Sequence, residues 1–257
     1  MTDRWWLYRG LDNFFTYSDE IGEDEGFSLF SSEHFLWLAL VLSCVFVLYR
    51  YIIHHRDHAK IYMRCIGDFL LFLIVLRILV VSLTGNMSVY ELPLHLCSMA
   101  GVLCFFHARK NADWIGQVLY TLCLPGTVLA LVFPNWTVYP AFHFITIQSF
   151  LFHGGIVLYV FSQLQLGEIR PDMTHVWKAL LFLFIVVPVI YCFDIRFHTN
   201  FMFVRIPSAG SPLDWIAQYM GIPGYLWGYA VLVLCIMVGM NGIYSLCRRF
   251  GGTEKNR

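Results

Sequence analysis

The strongest constraint in this sequence is a series of seven apolar runs, each long enough to cross a bilayer. The runs cover approximately residues 34–53, 62–83, 92–108, 114–133, 139–163, 177–196 and 224–246. An α-helix of about 20 apolar residues spans the hydrocarbon core. Stretches within them, such as residues 69–76 and 180–190, are apolar on every side. The strands of a membrane β-barrel instead alternate between apolar and polar residues. The sequence therefore predicts an all-α, polytopic membrane helix bundle with about seven transmembrane helices.

Composition narrows the functional classes. Hydrophobic residues make up 58% of the chain, whereas soluble domains are roughly 45–50% apolar. The 17 Lys and Arg residues balance 17 Asp and Glu residues, so there is no basic excess with which to bind nucleic acid. Membrane lipids are the expected partners. Since the spans occupy most of the 257 residues, we expect any functional site to lie among the helices.

The distribution of positive charge predicts the orientation, because Lys and Arg are retained on the cytoplasmic side of a membrane. Twelve of the 17 Lys and Arg residues fall in the loops and tail on one side of the predicted spans, and four fall on the other. This bias predicts an outside N-terminus and a cytoplasmic C-terminus. We expect one multi-pass domain of the cell membrane, residues 1–257. It consists of an acidic outer segment (1–33), the bundle (34–246) and a cytoplasmic tail (247–257).

Small residues at helical spacing predict close contacts between helices. Cys97, Gly101 and Cys104 follow i, i+4, i+7 spacing, which gives a narrow face of small residues that another helix can approach. Gly224 and Gly228 form a GxxxG pattern at the start of the last span. These are packing signals first, and a homo-oligomer formed through such faces is a further expectation.

The cysteines and histidines do not match a common metal or disulfide pattern. The eight Cys residues include no CxxC pair and fall mostly inside spans, where free Cys behaves as a small apolar residue. No HExxH-like pair occurs either. The sequence therefore predicts no cofactor, no metal site and no disulfide framework.

Ionisable residues inside a span cost several kcal/mol unless they are paired or hydrated, so each is a functional candidate. Asp68 and Arg77 share the second span but are nine residues apart, which places them on opposite faces of a helix. We expect Arg77 to lie about two turns from the outer surface, within reach of Glu91 or Asp194. It then either forms a structural ion pair or contacts an anion such as a lipid headgroup. Asp68 is a candidate for helix packing or for a proton relay.

The fifth span carries a polar stripe. Thr146, Ser149 and His153 follow i, i+3, i+7 spacing and therefore share one helix face. We expect His153 to lie about 20 Å from the outer end of this span, at 1.5 Å per residue. A buried His among hydroxyl groups stays neutral because desolvation disfavours its charged form. A neutral imidazole can act as a base.

The third span offers a thiol near the outer interface. Pro93 is expected in the first helical turn, where its missing N–H costs nothing, followed by His95 and Cys97. A thiol becomes a strong nucleophile when a base makes it a thiolate, so Cys97 and His153 together form the minimum machinery for acyl transfer. The predicted depth of Cys97 in the membrane is closer to the depths of His95 and His143 than to that of His153. Alternatively, the histidines only form hydrogen bonds with neighbouring helices.

Several short motifs carry a resemblance to a known family. They are Leu-Pro-Leu-His-Leu-Cys at 92–97, Leu-Val-Phe-Pro at 131–134, Phe-His-Phe at 142–144 and His-Gly at 153–154. In these motifs the chain resembles the bacterial YwaF integral membrane family, which is similar to the animal transmembrane protein 164 family. The likeness covers the chain from about Phe30 to Leu246.

The resemblance implies a seven-helix fold. For the animal branch it implies an acyltransferase that moves fatty acyl chains onto ether phospholipids through a Cys and a His. His153 matches the position of that His. Leu94 stands where the animal pattern has its Cys, directly between Pro93 and His95, and Cys97 lies one turn further along. For the bacterial branch the resemblance implies no settled activity.

Three functional hypotheses follow. The first is an enzyme acting on a lipid acyl group, by transfer or hydrolysis, with His153 as general base and Cys97 as nucleophile. Its predicted substrate-binding residues are Arg77, His95, His143 and Ser149. The second is a proton-coupled small-molecule transporter, in which Asp68, Arg77 and the histidines form a relay. The third is a structural membrane protein without catalysis.

Overall fold

The computed structural model describes residues 14–17, 20–22 and 25–253, with side chains described as far as Arg248. Within this part the chain is helical and contains no strand. Its α-helices are α1 (Ser32–His54), α2 (Ala59–Leu83), α3 (Leu96–Lys110), α4 (Asp113–Val118), α5 (Leu124–Val132), α6 (Phe144–Leu166), α7 (Val176–Phe197), α8 (Pro212–Met220) and α9 (Tyr225–Thr253). Much of the predicted acidic segment (1–13, 18–19 and 23–24) and residues 254–257 of the predicted tail lie outside the described residues.

The all-α membrane prediction is confirmed. Within the described part of the chain, six helical stretches are long and apolar enough to cross a bilayer: Ser32–His54, Arg56–Leu83, Asp113–Val132, Phe144–Leu166, Met173–Phe197 and Tyr225–Arg248. The third predicted span corresponds to α3, which has only 15 residues. At 1.5 Å per residue it is about 22 Å long, shorter than a hydrocarbon core of about 30 Å. The count of seven and the orientation remain predictions.

The prediction that Pro93 lies in the first turn of a helix is wrong. Leu92 is extended (φ −63°, ψ 140°), and so is His95 (φ −69°, ψ 149°), so the helix begins only at Leu96. The physical reason is steric, because the proline ring pushes the preceding residue out of the α region. The non-helical segment 92–95 shortens α3 and brings Cys97 into its first turn.

Helix α6 lies at the centre of the bundle, and most of its residues are buried. It packs against α1, α2, α3 and α5. Two glycines allow this close approach. A Cβ on Gly154 would lie 2.6 Å from Val41 Cγ1 in α1, and one on Gly155 would lie 2.9 Å from Leu70 Cδ2 in α2. The pair thus permits the neighbouring helices to meet α6 on two sides.

The predicted small-residue face of α3 does pack against another helix. A Cβ on Gly101 would lie 2.7 Å from the ring of Phe152 in α6. Gly228 similarly permits contact with α8, since its Cβ would lie 2.5 Å from Ile216 Cγ2. Gly239 and Gly242 have no described atom within 4 Å of their added Cβ atoms. The face of α9 that carries these two glycines is therefore open in the single chain.

A π-helical segment, Leu119–Cys123, joins α4 to α5. Pro125 follows it and lacks the N–H that a regular helix would use for the carbonyl four residues earlier. Wide π turns of this kind occur often at functional sites. Thr121 and Leu122, which belong to the wide turn, line the cavity described below.

Candidate functional site

A cavity of about 340 Å³ lies at the end of the bundle that carries loops 84–95 and 133–143. We call this end the outer end, after the orientation that the charge bias predicts. The volume falls within the range of about 300–1,000 Å³ that is usual for small-molecule sites. The lining is mostly apolar, with a few polar groups that include Arg77, Glu91, His95, Cys97, Ser149 and His153. A lining of this kind suits an apolar ligand with one polar end.

Five of the six residues that the sequence nominates come together here, and His143 does not. Arg77, His95, Cys97, Ser149 and His153 all line the cavity, although they come from three helices and a loop. His153 lies nearer the outer end of its helix than the sequence predicts. His153 follows the first residue of α6 by nine positions, about 14 Å at 1.5 Å per residue, instead of about 20 Å.

His143 instead caps α6. Its Nδ1 accepts a hydrogen bond from the backbone N–H of Ile145 at 3.1 Å, and its Nε2 donates to the carbonyl of Thr16 at 2.9 Å. Both ring nitrogens are therefore used, and no nitrogen is left for a substrate. Burial lowers the pKa of His143 to about 4, although the bond to Thr16 opposes this shift. Its role in this fold is to tie the N-terminal segment to the start of α6.

The His153 ring is held in one tautomer. Its Nδ1 lies 2.7 Å from the carbonyl oxygen of Ser149. A carbonyl can only accept, so Nδ1 carries the proton and a neutral ring leaves Nε2 with its lone pair. Trp136 stacks on the imidazole, with ring centroids 4.9 Å apart and an angle of 27°. The hydrogen bond thus fixes the tautomer of the His153 ring, and the stacking fixes the orientation of its plane.

Cys97 occupies the second position of α3, next to the cavity. No side chain caps the N-terminus of this helix, so N–H groups of its first turn have no intrahelical or capping partner. Such a helix end carries partial positive charge, which stabilises a nearby anion, whereas burial of the Cys97 sulfur favours the neutral thiol. Leu94, at the position of the animal Cys, packs instead beside the apolar cluster that contains Ile190 and Phe201.

Arg77 forms an ion pair with Glu91, which is one of the two alternatives that the sequence predicts for it. Its Nε donates to Oε2 of Glu91 at 2.9 Å, and Tyr17 donates its hydroxyl to Oε1 of the same carboxylate at 2.8 Å. Burial and the adjacent carboxylate raise the pKa of Tyr17 to about 12. The two Nη nitrogens of Arg77 have no hydrogen-bond partner among the described residues. Asp194, the other predicted partner, accepts bonds from Thr199 and from the N–H of Phe201 instead.

The charged groups of the transporter hypothesis are separated in this fold. Asp68 pairs with Arg109 on α3, and the Asp68 side chain is half exposed. Arg77 pairs with Glu91 at the outer end. The prediction that Asp68 and Arg77 do not pair with each other is confirmed. Within the described ranges, no three His, Cys, Asp or Glu side chains are grouped so that they could hold a metal ion.

Sequence reasoning missed two parts of the site. Trp136 stacks on His153 from a loop, and its buried Nε1–H has no partner among the described residues although the residue lines the cavity. Met202 donates its backbone N–H to Nδ1 of His95 at 3.3 Å. No spacing in the sequence could indicate either contact, because both come from irregular segments on other parts of the chain.

Comparison with known proteins places this fold in a family. The model of the TMEM164 family matches residues 29–241, which include every residue that lines the cavity. No curated protein and no solved structure matched the chain in the same comparisons. The matched region covers most of the sequence and contains His95, Cys97 and His153. The chain therefore belongs to the TMEM164 family.

Proposed function

We propose that this membrane protein transfers or hydrolyses the acyl group of a membrane lipid, with Cys97 as nucleophile and His153 as general base. The observation that carries the proposal is the cavity that Cys97 and His153 line together. His153 offers an unprotonated Nε2, and Cys97 lies at an uncapped helix N-terminus. The resemblance to an acyltransferase branch points to the same reaction class.

The chemistry follows from these two groups. Nε2 of His153 takes the proton of the Cys97 thiol as the sulfur attacks the carbonyl carbon of a lipid ester. The tetrahedral intermediate collapses when the bond to the alcohol oxygen breaks, and the protonated His153 returns the proton to that oxygen. A thioester on Cys97 and a free lysolipid result. A second alcohol, or water, then attacks the thioester with His153 again as base, which completes transfer or hydrolysis.

Arg77 offers a contact for the polar end of the lipid. Only its Nε is engaged, with Glu91, so the Nη groups are available for a phosphate or a carboxylate. The apolar lining suits the acyl chain. Ser149 contributes its carbonyl to His153, which makes it a positioning residue in this proposal.

The test uses full-length protein in vesicles that contain phospholipids with a labelled acyl chain. We expect the wild type to release or transfer the label, and we expect Cys97→Ala and His153→Asn each to lower the initial rate by at least about 100-fold. Cys104→Ala is the matched control, because Cys104 is a buried thiol on the same helix and does not line the cavity. If Cys97→Ala and His153→Asn both retain the wild-type rate, the proposal is wrong.

A further inference from the structure

His95 is held differently from the other histidines at the outer end. It is the residue immediately before α3 and lines the cavity. Its ring contacts two aromatic rings, with centroid distances of 5.1 Å to Phe201 and 5.6 Å to Phe203. These contacts leave the imidazole little freedom to rotate.

One hydrogen bond determines which ring nitrogen carries the proton. The backbone N–H of Met202 donates to Nδ1 of His95 at 3.3 Å. Because a backbone N–H only donates, Nδ1 must be the acceptor, and a neutral ring then has its proton on Nε2. Nε2 has no partner among the described residues. His95 therefore keeps an unused N–H donor beside the cavity.

The backbone at Met202 and Phe203, which contacts His95, is strained and is held by hydrogen bonds from α9. Met202 and Phe203 both have left-handed backbone conformations, with φ of 55° and 56°. Non-glycine residues adopt this region at an energetic cost, and such strain persists only where surrounding contacts hold it. Two tyrosines of α9 supply those contacts: Tyr229 donates its hydroxyl to the carbonyl of Met202 at 3.2 Å, and Tyr225 donates to that of Phe203 at 2.6 Å.

The two histidines of the cavity are therefore complementary. His153 donates through Nδ1 to Ser149, so its Nε2 accepts a proton. His95 accepts through Nδ1 from Met202, so its Nε2 donates. One ring is arranged as a base and the other as a hydrogen-bond donor. A reaction in which a thiol loses a proton while a carbonyl oxygen gains negative charge needs both.

We infer that the Nε2–H of His95 donates a hydrogen bond to the oxyanion that forms when Cys97 attacks the lipid ester. This inference rests on the proposed function and assigns a catalytic role to a residue outside the Cys97 and His153 pair. As the sulfur–carbon bond forms, the carbonyl π electrons move onto oxygen, where His95 stabilises the charge. They return when the bond to the alcohol oxygen breaks. His95 keeps its proton throughout.

Two reactions of the Cys97 thiol distinguish an oxyanion-stabilising role of His95 from a purely structural role. Iodoacetamide alkylates Cys97 by displacing iodide, so no oxyanion forms. p-Nitrophenyl butyrate acylates Cys97 through a tetrahedral oxyanion and releases p-nitrophenolate. Both products are measured by mass spectrometry on the peptide that contains Cys97, because Cys44, Cys65, Cys192, Cys235 and Cys247 are exposed and also react.

The variants are chosen by geometry. His95→Asn keeps an acceptor for the N–H of Met202 but removes the donor at Nε2. We expect it to lower the acylation rate by about 10²- to 10³-fold, as for loss of one oxyanion donor, and to leave alkylation within about twofold of wild type. His95→Gln places an amide N–H near the position of Nε2, so we expect part of the acylation rate to return. His153→Asn should slow both reactions because the base is lost.

The outcomes distinguish the two proposals. If His95→Asn acylates at the wild-type rate while Cys97→Ala and His153→Asn do not react, the inference is wrong and the proposed function stands. Equal losses of alkylation and acylation in His95→Asn contradict the inference too, since they indicate a structural role. If the wild-type Cys97 does not acylate, or acylates independently of His153, the proposed function fails and the inference fails with it.

Discussion

At the residue scale, the number of ring nitrogens already in use distinguishes His34 and His143 from the candidate catalytic residues His95 and His153. His34 accepts from the N–H of Phe30 and donates to the carbonyl of Leu131, so both nitrogens are bonded. His143 is bonded twice in the same way. His95 and His153 each have one nitrogen bonded to the backbone and one left over. The two imidazoles that line the cavity therefore each have a ring nitrogen available for a substrate.

His143 gives the fold a dependence on pH. Its pKa falls from 6.5 to about 4 on folding, so between these values the unfolded chain binds a proton that the folded chain does not. The free energy of unfolding therefore decreases as the pH falls from about 6.5 toward 4, and it is unaffected by this group above that range. We expect His143→Asn, which can still cap α6 but does not titrate, to lose less stability than wild type on acidification.

The measurement is the thermal midpoint in detergent at pH 7.5 and at pH 5 for both proteins. All other titrating groups are shared, so the difference between the two pH shifts isolates His143. Identical shifts in wild type and variant would contradict the assigned role.

Trp136 is expected to support the charged form of His153 during turnover. Its ring stacks on the imidazole, and a cation over an aromatic face gains about 0.5–2 kcal/mol. We expect Trp136→Phe to retain most of the lipid acyl-transfer rate and Trp136→Leu to lose roughly tenfold. Initial rates in the labelled-lipid assay provide the comparison, and equal rates for the Phe and Leu variants would show that the stacking is unimportant.

At the scale of elements, the glycines of α6 let α1 and α2 pack closely against this central helix. Val41 is β-branched and has few rotamers, so it cannot easily move away from an added methyl group at Gly154. The first two turns of α6 carry Ser149, and the third carries His153, which lines the cavity. Any outward shift of α6 from α1 therefore also displaces the predicted base.

A matched pair of glycine substitutions tests this packing. We expect Gly154→Ala to lower the free energy of unfolding by about 1–3 kcal/mol, because its Cβ would lie 2.6 Å from Val41. Gly239→Ala, also in a helix but with no described atom near its Cβ, should be neutral or gain about 0.5–1 kcal/mol. Denaturation in mixed micelles gives both values. A Gly154→Ala variant as stable as Gly239→Ala would show that α1 and α6 are less tightly packed.

At the scale of the whole molecule, the short helix α3 determines where the two termini lie. If α3 crosses the bilayer together with the six longer stretches, the termini are on opposite sides, as the charge bias predicts. If α3 does not cross, the termini share a side. Bilayer thinning around a 15-residue helix is a modest cost, so crossing is our expectation.

Epitope tags at the two ends distinguish these topologies. We expect an N-terminal tag to be digested by protease added outside intact cells and a C-terminal tag to be protected until the cells are opened. Digestion of both tags, or protection of both, would indicate an even number of crossings.

Much of the fold could be predicted from the sequence, because each helix is specified by its own residues. Apolar runs and the small face of α3 act through local spacing. Six of the seven runs, and that face, have counterparts among the described residues. For the candidate site, the sequence predicts which residues take part but not which atoms they contact. Cys97 is a candidate because a thiol with a nearby base is a nucleophile. Arg77, His95, Ser149 and His153 are candidates because polar groups are costly in a membrane. His143 was nominated for the same reason and proved to be a helix cap.

Local residue patterns specify the class of the protein, an all-helical membrane bundle, and a short set of polar residues that need partners. Their partners become known from the three-dimensional fold: Glu91 for Arg77, Ser149 for His153, and the strained Met202 for His95. The physical reason is that hydrophobicity and helical period are summed along neighbouring residues. A tautomer, by contrast, depends on one donor or acceptor that the fold brings from elsewhere in the chain.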